Sequence, residues 1–284
     1  MNNDWTPGAW QTTTPLYQVK RYALVELASL PAYARTELFA AFQADDHYWP
    51  LLDDPSQPHL QREGPWLLEV NDTRGDAWRN LESIDCALHA WIESELPGEQ
   101  LASQLAPAMV IENSMGRRSL LRFYLPEVIE RLHADAPQAC HDALFGNIQR
   151  WWYRSGGKEW VALEGFSRQA PSGPWELRVG DELWMALHGD TEVMGLTAEL
   201  VDIVPELFGD ICSCDRPRLV RLALEQADSY GLTRISDRRV YAYLQLSQGE
   251  AAWQSDEMRS WLEHAANGET PLLDLLDNAY GEPI

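Results

Sequence analysis

Ser119-Leu-Leu-Arg-Phe-Tyr-Leu-Pro-Glu-Val-Ile-Glu-Arg-Leu132 contains two kinds of local signal, and the fold class turns on how they are joined. Ser119 to Tyr124 is a short apolar run that suits a strand. Pro126 then sits where a first helical residue belongs, because its fixed φ fits and its missing N–H is not needed there. Val128, Ile129 and Leu132 follow at helical spacing. Upstream, Ala108-Met-Val-Ile-Glu-Asn113 reads as another strand, and Gly116 marks the turn between the two. Strands and helices are therefore interleaved at close range.

Further strands are expected at Tyr22-Ala-Leu-Val-Glu-Leu27, Gly64-Pro-Trp-Leu-Leu-Glu-Val70, Trp151-Trp-Tyr153, Trp160-Val-Ala-Leu163 and Glu182-Leu-Trp-Met-Ala-Leu187. Trp78, Leu81, Ile84, Leu88, Trp91 and Ile92 fall at steps of three and four and predict one long helix ending at Pro97-Gly98. A short helix is expected around Leu144 and Phe145. After about residue 190 strand signals cease. Thr197, Ser236 and Ser255 read as helix N-caps, and Gly231, Gly249 and Gly268 as helix stops. The predicted architecture is α+β. It has a loose lead-in over 1–18, a lobe over 19–189 with a small mixed sheet flanked by helices, and an all-helical lobe over 190–284.

Composition narrows the function classes. The 284 residues carry 44 Asp and Glu against 22 Lys and Arg, a formal net charge of −22. Such a field repels nucleic-acid backbones and anionic lipid, so neither nucleic acid nor membrane is expected as a partner. Six arginines between Arg216 and Arg239 allow a helix-turn-helix reading locally, but the overall charge argues for ordinary surface arginines. No apolar stretch is long enough to span a bilayer. The start, Met1-Asn-Asn-Asp-Trp-Thr-Pro-Gly, has neither a basic region nor an apolar run, so no secretory signal is expected and a cytoplasmic location follows. Four cysteines do not make a disulfide scaffold in a chain of this length.

Catalytic motifs fail on inspection. Gly165-Phe-Ser-Arg-Gln169 begins like a nucleophile elbow but has Gln169 where a second glycine is needed. Gly156-Gly157-Lys158 lacks the spacing and the Ser/Thr of a phosphate loop. Cys212 and Cys214 have no second pair to complete a zinc site, and His133, Cys140 and His141 have no accompanying carboxylates. Asp45, Asp46, Asp53 and Asp54 read as a solvated acidic loop. No catalytic residue, metal or cofactor is expected. Thirteen tryptophans favour recognition instead, since buried aromatic and arginine anchors carry most interfaces. Arg117, Arg118, Trp151 and Trp152 are the candidate partner-binding residues, chosen on residue type.

The segment from Ser119 to Leu132 resembles the best-marked stretch of the adaptor-chaperone family of the bacterial type VI secretion system: an aliphatic strand, Arg-Phe-aromatic, Asp-Pro, then a helix. Leu125-Pro126 stands where that family has Asp-Pro, which removes a helix-capping carboxylate. Tyr22 to Leu27, Tyr48-Trp-Pro-Leu-Leu52, Gly64 to Val70 and Leu144-Phe-Gly-Asn-Ile-Gln-Arg-Trp-Trp152 are similar to other family segments in the same order, over roughly residues 20–165. The resemblance implies a non-enzymatic, cytoplasmic protein that binds one toxic effector and helps load it onto the VgrG spike, in some cases with a PAAR-type tip. Two other readings stay open at this point: an immunity-like inhibitor of a toxin, and an enzyme of a class without a recognised motif.

Overall fold

The computed structural model describes residues 7, 19–40, 47–52, 56, 58–71, 75, 77–155, 159–165, 173–188, 190–209 and 211–281. The lead-in apart from Pro7, the carboxylates Asp45, Asp46, Asp53 and Asp54, the Gly156 to Lys158 stretch and Phe166 to Gln169 lie outside the described residues. The fold is α+β, as the sequence predicts. It comprises two compact units, Met1–Leu187 and His188–Ile284.

The first unit is built on β1 (Lys20–Glu26), β2 (Tyr48–Pro50), β3 (Pro65–Glu69), β4 (Leu88–Ser94), β7 (Ile148–Ser155) and β8 (Glu159–Glu164). These form one six-stranded sheet in the order β2-β3-β1-β4-β7-β8. Every pairing in it is antiparallel, so the principal sheet is not mixed. The mixed sheet is a second, three-stranded one, where β5 (Val110–Glu112) lies between antiparallel β6 (Arg118–Leu120) and parallel β9 (Leu177–Arg178).

Both faces of the large sheet are covered. Tyr22, Leu24, Ile92, Trp151 and Tyr153 point into one core, filled by α4 (Gly98–Leu105), α5 (Pro126–Asp135) and α6 (Gln138–Phe145). Ala23, Val25, Trp91 and Trp152 point into the other, filled by α1 (Ala32–Ala40), Trp78 and α3 (Ile84–Ala87). A short α2 (Pro58–Glu63) precedes β3. Inner strands covered on both faces need not alternate apolar and polar residues.

The long helix predicted through Ile92 does not form. Only Ile84–Ala87 is helical there, and Leu88–Ser94 is an inner strand with all seven residues buried. Leu88, Trp91 and Ile92 keep the helical spacing, while His89, Glu93 and Ser94 are polar yet buried against Glu26, Arg150 and Asn147 O, so polarity shows no two-residue alternation. The opposite error occurs at Glu182 to Leu187, read as a strand but folded as α7 (Asp181–His188). Leu183 and Leu187, four apart, are its buried residues, and the exposed Met185 hid that period.

The second unit contains only helices among its described residues: α8 (Thr191–Ile203), α9 (Arg216–Ser229), α10 (Ile235–Gln248), α11 (Asp256–Ala266) and α12 (Leu272–Tyr280). Ser255 caps α11 as predicted, accepting from Met258 N at 3.1 Å. Thr197 is not a cap. It lies inside α8 and donates to Val193 O at 2.7 Å, while Asp190 caps that helix through Glu192 N at 2.8 Å. Ser236 likewise lies inside α10, whose N-cap is Arg234. Gly231, Gly249 and Gly268 all have positive φ at helix ends, where a side chain would strain the backbone. Asp237, fully buried in the first turn of α10, accepts from Leu272 N at 3.0 Å and so seats the start of α12. No described helix is long and apolar enough to cross a membrane.

Candidate functional site

Glu26 ends β1 after the fully buried run Tyr22 to Val25, and its carboxylate is buried. The β1–β4 register slips by one residue between Leu24, opposite Ala90, and Val25, opposite Leu88. His89 is the extra residue of this bulge, and its Nε2 lies 3.3 Å from Glu26 Oε2. Arg122 Nη2 donates to the same oxygen, and Tyr124 OH donates to Oε1 at 3.0 Å. Burial pushes the Glu26 carboxyl up, but the hydrogen bond from His89 and the charge and hydrogen bond of Arg122 outweigh it and hold the group at about 2. Burial, reinforced by the Glu26 charge, pushes the Tyr124 phenol well above its ordinary range.

This is a closed network. Three donors converge on one carboxylate and stabilise its ionised form, the opposite of the raised pKa that a general base or acid needs near neutrality. Its work is to tie the end of β1 to the segment after β6. Arg122 and Tyr124 belong to the Arg-Phe-aromatic stretch, and Phe123 between them is fully buried against Trp151, ring centroids 6.0 Å apart. Sequence reasoning missed Glu26 as a partner for Arg122. The available signal was an acid at the end of the apolar run Tyr22 to Val25, which must find a cation or donor.

The hairpin of β5 and β6 projects from the same unit. Asn113, buried, accepts from Met115 N at 3.0 Å and Arg117 N at 2.9 Å, and Gly116 takes a φ of 75°. The tip is thereby fixed by side-chain-to-backbone hydrogen bonds. It presents Arg117 and Arg118 to solvent beside Met115, 67% exposed, and Leu120, 57% exposed. Arg118 pairs with Glu112 at 3.7 Å, which also pairs with Arg178 at 3.3 Å. Arg117 has no ion pair with a described residue.

Trp151 and Trp152 are placed differently from the two arginines. Trp151 is 0% exposed and Trp152 9% exposed, on opposite faces of the sheet. Adjacent residues of an inner strand each meet a core, so neither indole is displayed as a binding platform. Trp151 lies opposite Ile92 and Trp152 opposite Trp91 across the β4–β7 ladder.

His133 and His141 come together, as packing, whereas the Cys140 thiol faces backbone carbonyls. The two imidazoles lie 5.1 Å apart and 4.9 and 4.8 Å from the Phe145 ring. Cys140 is a buried free thiol whose Sγ approaches Glu176 O at 3.6 Å and Arg178 O at 3.5 Å. Burial, then the neighbouring His133, pushes the His141 pKa down. Among the described residues no group of three or more His, Cys, Asp or Glu side chains could hold a metal ion.

The arginines of the helical unit do not form a free basic patch. Arg238 pairs with Glu192 at 2.5 Å and Asp228 at 2.8 Å, Arg239 with Glu199 at 3.1 Å, and Arg218 with Asp215 at 3.7 Å. What this unit does present is an open groove of about 390 Å3 between α8, α10 and α12. Leu200, Ile203, Val240, Tyr243, Leu273 and Leu276 line it, and its surface is overwhelmingly apolar.

Comparison with known proteins adds one match. No curated protein and no solved structure matches the chain. Residues 21–141, less than half of the chain, match the family described as "Domain of unknown function (DUF4123)". That span takes in β1, β3, the hairpin and the Arg122 to Tyr124 segment, and ends before the Leu144 to Trp152 stretch. Glu26 and Arg122 both lie within the matched span.

Proposed function

We propose that the chain is a cytoplasmic adaptor and chaperone that binds a cognate type VI secretion effector and helps load it onto the VgrG spike, without catalysing a reaction. DUF4123 is known as a type VI secretion effector adaptor family. The observation that carries the proposal is the coincidence of that match with the residues 21–141, where the family-like strands and the Arg-Phe-Tyr stretch sit. The exposed hairpin supports the reading, because arginines beside exposed aliphatic side chains suit a protein–protein contact. In this reading Arg117 and Arg118 contact a partner, while Trp151 and Trp152 support the scaffold behind them.

The test is affinity purification of the tagged chain from its native bacterium, with mass spectrometry of what is retained. Recovery of a toxin-like protein together with the VgrG spike supports the proposal. Recovery of a toxin domain without the spike turns the reading to an immunity-like inhibitor. Absence of specific partners across a range of salt concentrations overturns it and directs attention to substrate screens.

A further inference from the structure

We propose that the open groove of the helical unit docks an amphipathic α-helix of a partner protein, one whose aliphatic stripe is flanked by lysine or arginine. The proposal stands on the helical unit alone and does not rest on the adaptor reading.

The walls come first. Ile203, at the last turn of α8, is 69% exposed, and Leu273 on α12 is 36% exposed, yet both line the groove. Aliphatic surface left in water costs about 25 cal/mol per Å2, so a cover that removes it is favoured. Three helices form the walls, and a furrow between helix ridges accepts the ridge of another helix.

Charge selects among the covers. Arg239, the cation in the lining, is already neutralised by Glu199. Asp202, Asp274 and Asp277 each adjoin a lining residue in sequence and have no ion pair with a described residue. Asp277 Oδ1 is also shut off from solvent without a hydrogen-bond donor. An incoming lysine or arginine would supply what these carboxylates lack. The same negative field disfavours a second copy of this chain, which carries −22 itself, and disfavours anionic lipid.

The experiment titrates the full chain with two fluorescent synthetic helices about four turns long, identical in their leucine stripe. One has lysine on its polar positions and the other glutamate. The lysine peptide is expected to bind and the glutamate peptide to bind at least about tenfold more weakly. The double variant Ile203→Ser and Leu273→Ser keeps the net charge and alters only exposed side chains. It is expected to weaken the lysine peptide at least about tenfold, while Met185→Ser outside the groove leaves it unchanged. The proposal is overturned by absent binding, by equal binding of both peptides, or by binding indifferent to the double variant. It is equally overturned if sedimentation shows a dimer that the double variant dissociates, because the groove then holds a second copy.

Discussion

Arg122 donates to Glu26 across 96 residues of sequence, joining the segment between β6 and α5 to β1 of the large sheet. Glu26 is enclosed, whereas the Arg122 side chain is 41% exposed, so the two ends of the contact are unequal. Removing the carboxylate strands Tyr124 and His89 in the interior. Removing the guanidinium leaves Glu26 with two donors. Glu26→Ala is expected to cost about 3–5 kcal/mol and Arg122→Ala about 1–3 kcal/mol, read from urea unfolding at neutral pH.

The same carboxylate makes stability depend on acid. Its folded pKa, about 2, lies below the ordinary 4.5, so its contribution is full above about pH 4.5 and is lost as pH falls through 2. The contribution is on the order of 3 kcal/mol at neutral pH. Wild type and Glu26→Gln are expected to differ most at neutral pH and to converge between about pH 4.5 and 2. Parallel denaturation curves across that range would contradict the network as drawn.

Trp151, Trp152 and the hairpin arginines should separate cleanly in a stability assay. Truncating either indole to alanine opens a core and is expected to cost about 3–5 kcal/mol. Arg117→Ala and Arg118→Ala touch only exposed side chains and are expected to stay within about 0.5 kcal/mol of wild type. Under the adaptor reading the arginine double variant retains less effector in the purification experiment while its unfolding midpoint is unchanged.

Gly165 and Gly195 give opposite answers to one substitution. A Cβ at Gly165 would sit 1.9 Å from Ile148 O on the neighbouring strand, so Gly165→Ala is expected to destabilise by about 2–4 kcal/mol. At Gly195, within α8, a Cβ meets nothing within 4 Å, and Gly195→Ala is expected to stabilise by about 0.5–1 kcal/mol. Thermal midpoints of the two variants check both signs. Gly165 also shows why the apparent nucleophile motif begins as it does: the glycine answers to strand packing.

Legibility in the sequence followed burial. β1, β3 and α5 were readable because a cap, a proline or a bounded apolar run marked each edge. β4 was not, since its polar residues His89, Glu93 and Ser94 are buried with its apolar ones, so polarity along the strand does not mark its faces. α12 went unread because Leu-Leu-Asp-Leu-Leu is short and its start is seated by Asp237, 35 residues away. The candidate site divided along the same line. Arg117 and Arg118 are exposed as an interface needs, but a residue's type could not say that Trp151 and Trp152 would each meet a core. The groove depends on three helices distant in sequence, so no local pattern announces it.

The placement of β1 at the centre of the sheet has a consequence during synthesis. It leaves the ribosome early, yet its flanking strands β3 and β4 and its partner Arg122 come later, the last by 96 residues. At about 5–20 residues per second that interval lasts roughly 5–20 s. Until β3 and β4 emerge β1 has open edges, and Glu26 lacks its guanidinium partner for the whole interval. Closure of the sheet is therefore governed by the arrival of later segments, and a chain released before Arg122 has emerged leaves the Glu26 end of β1 untied.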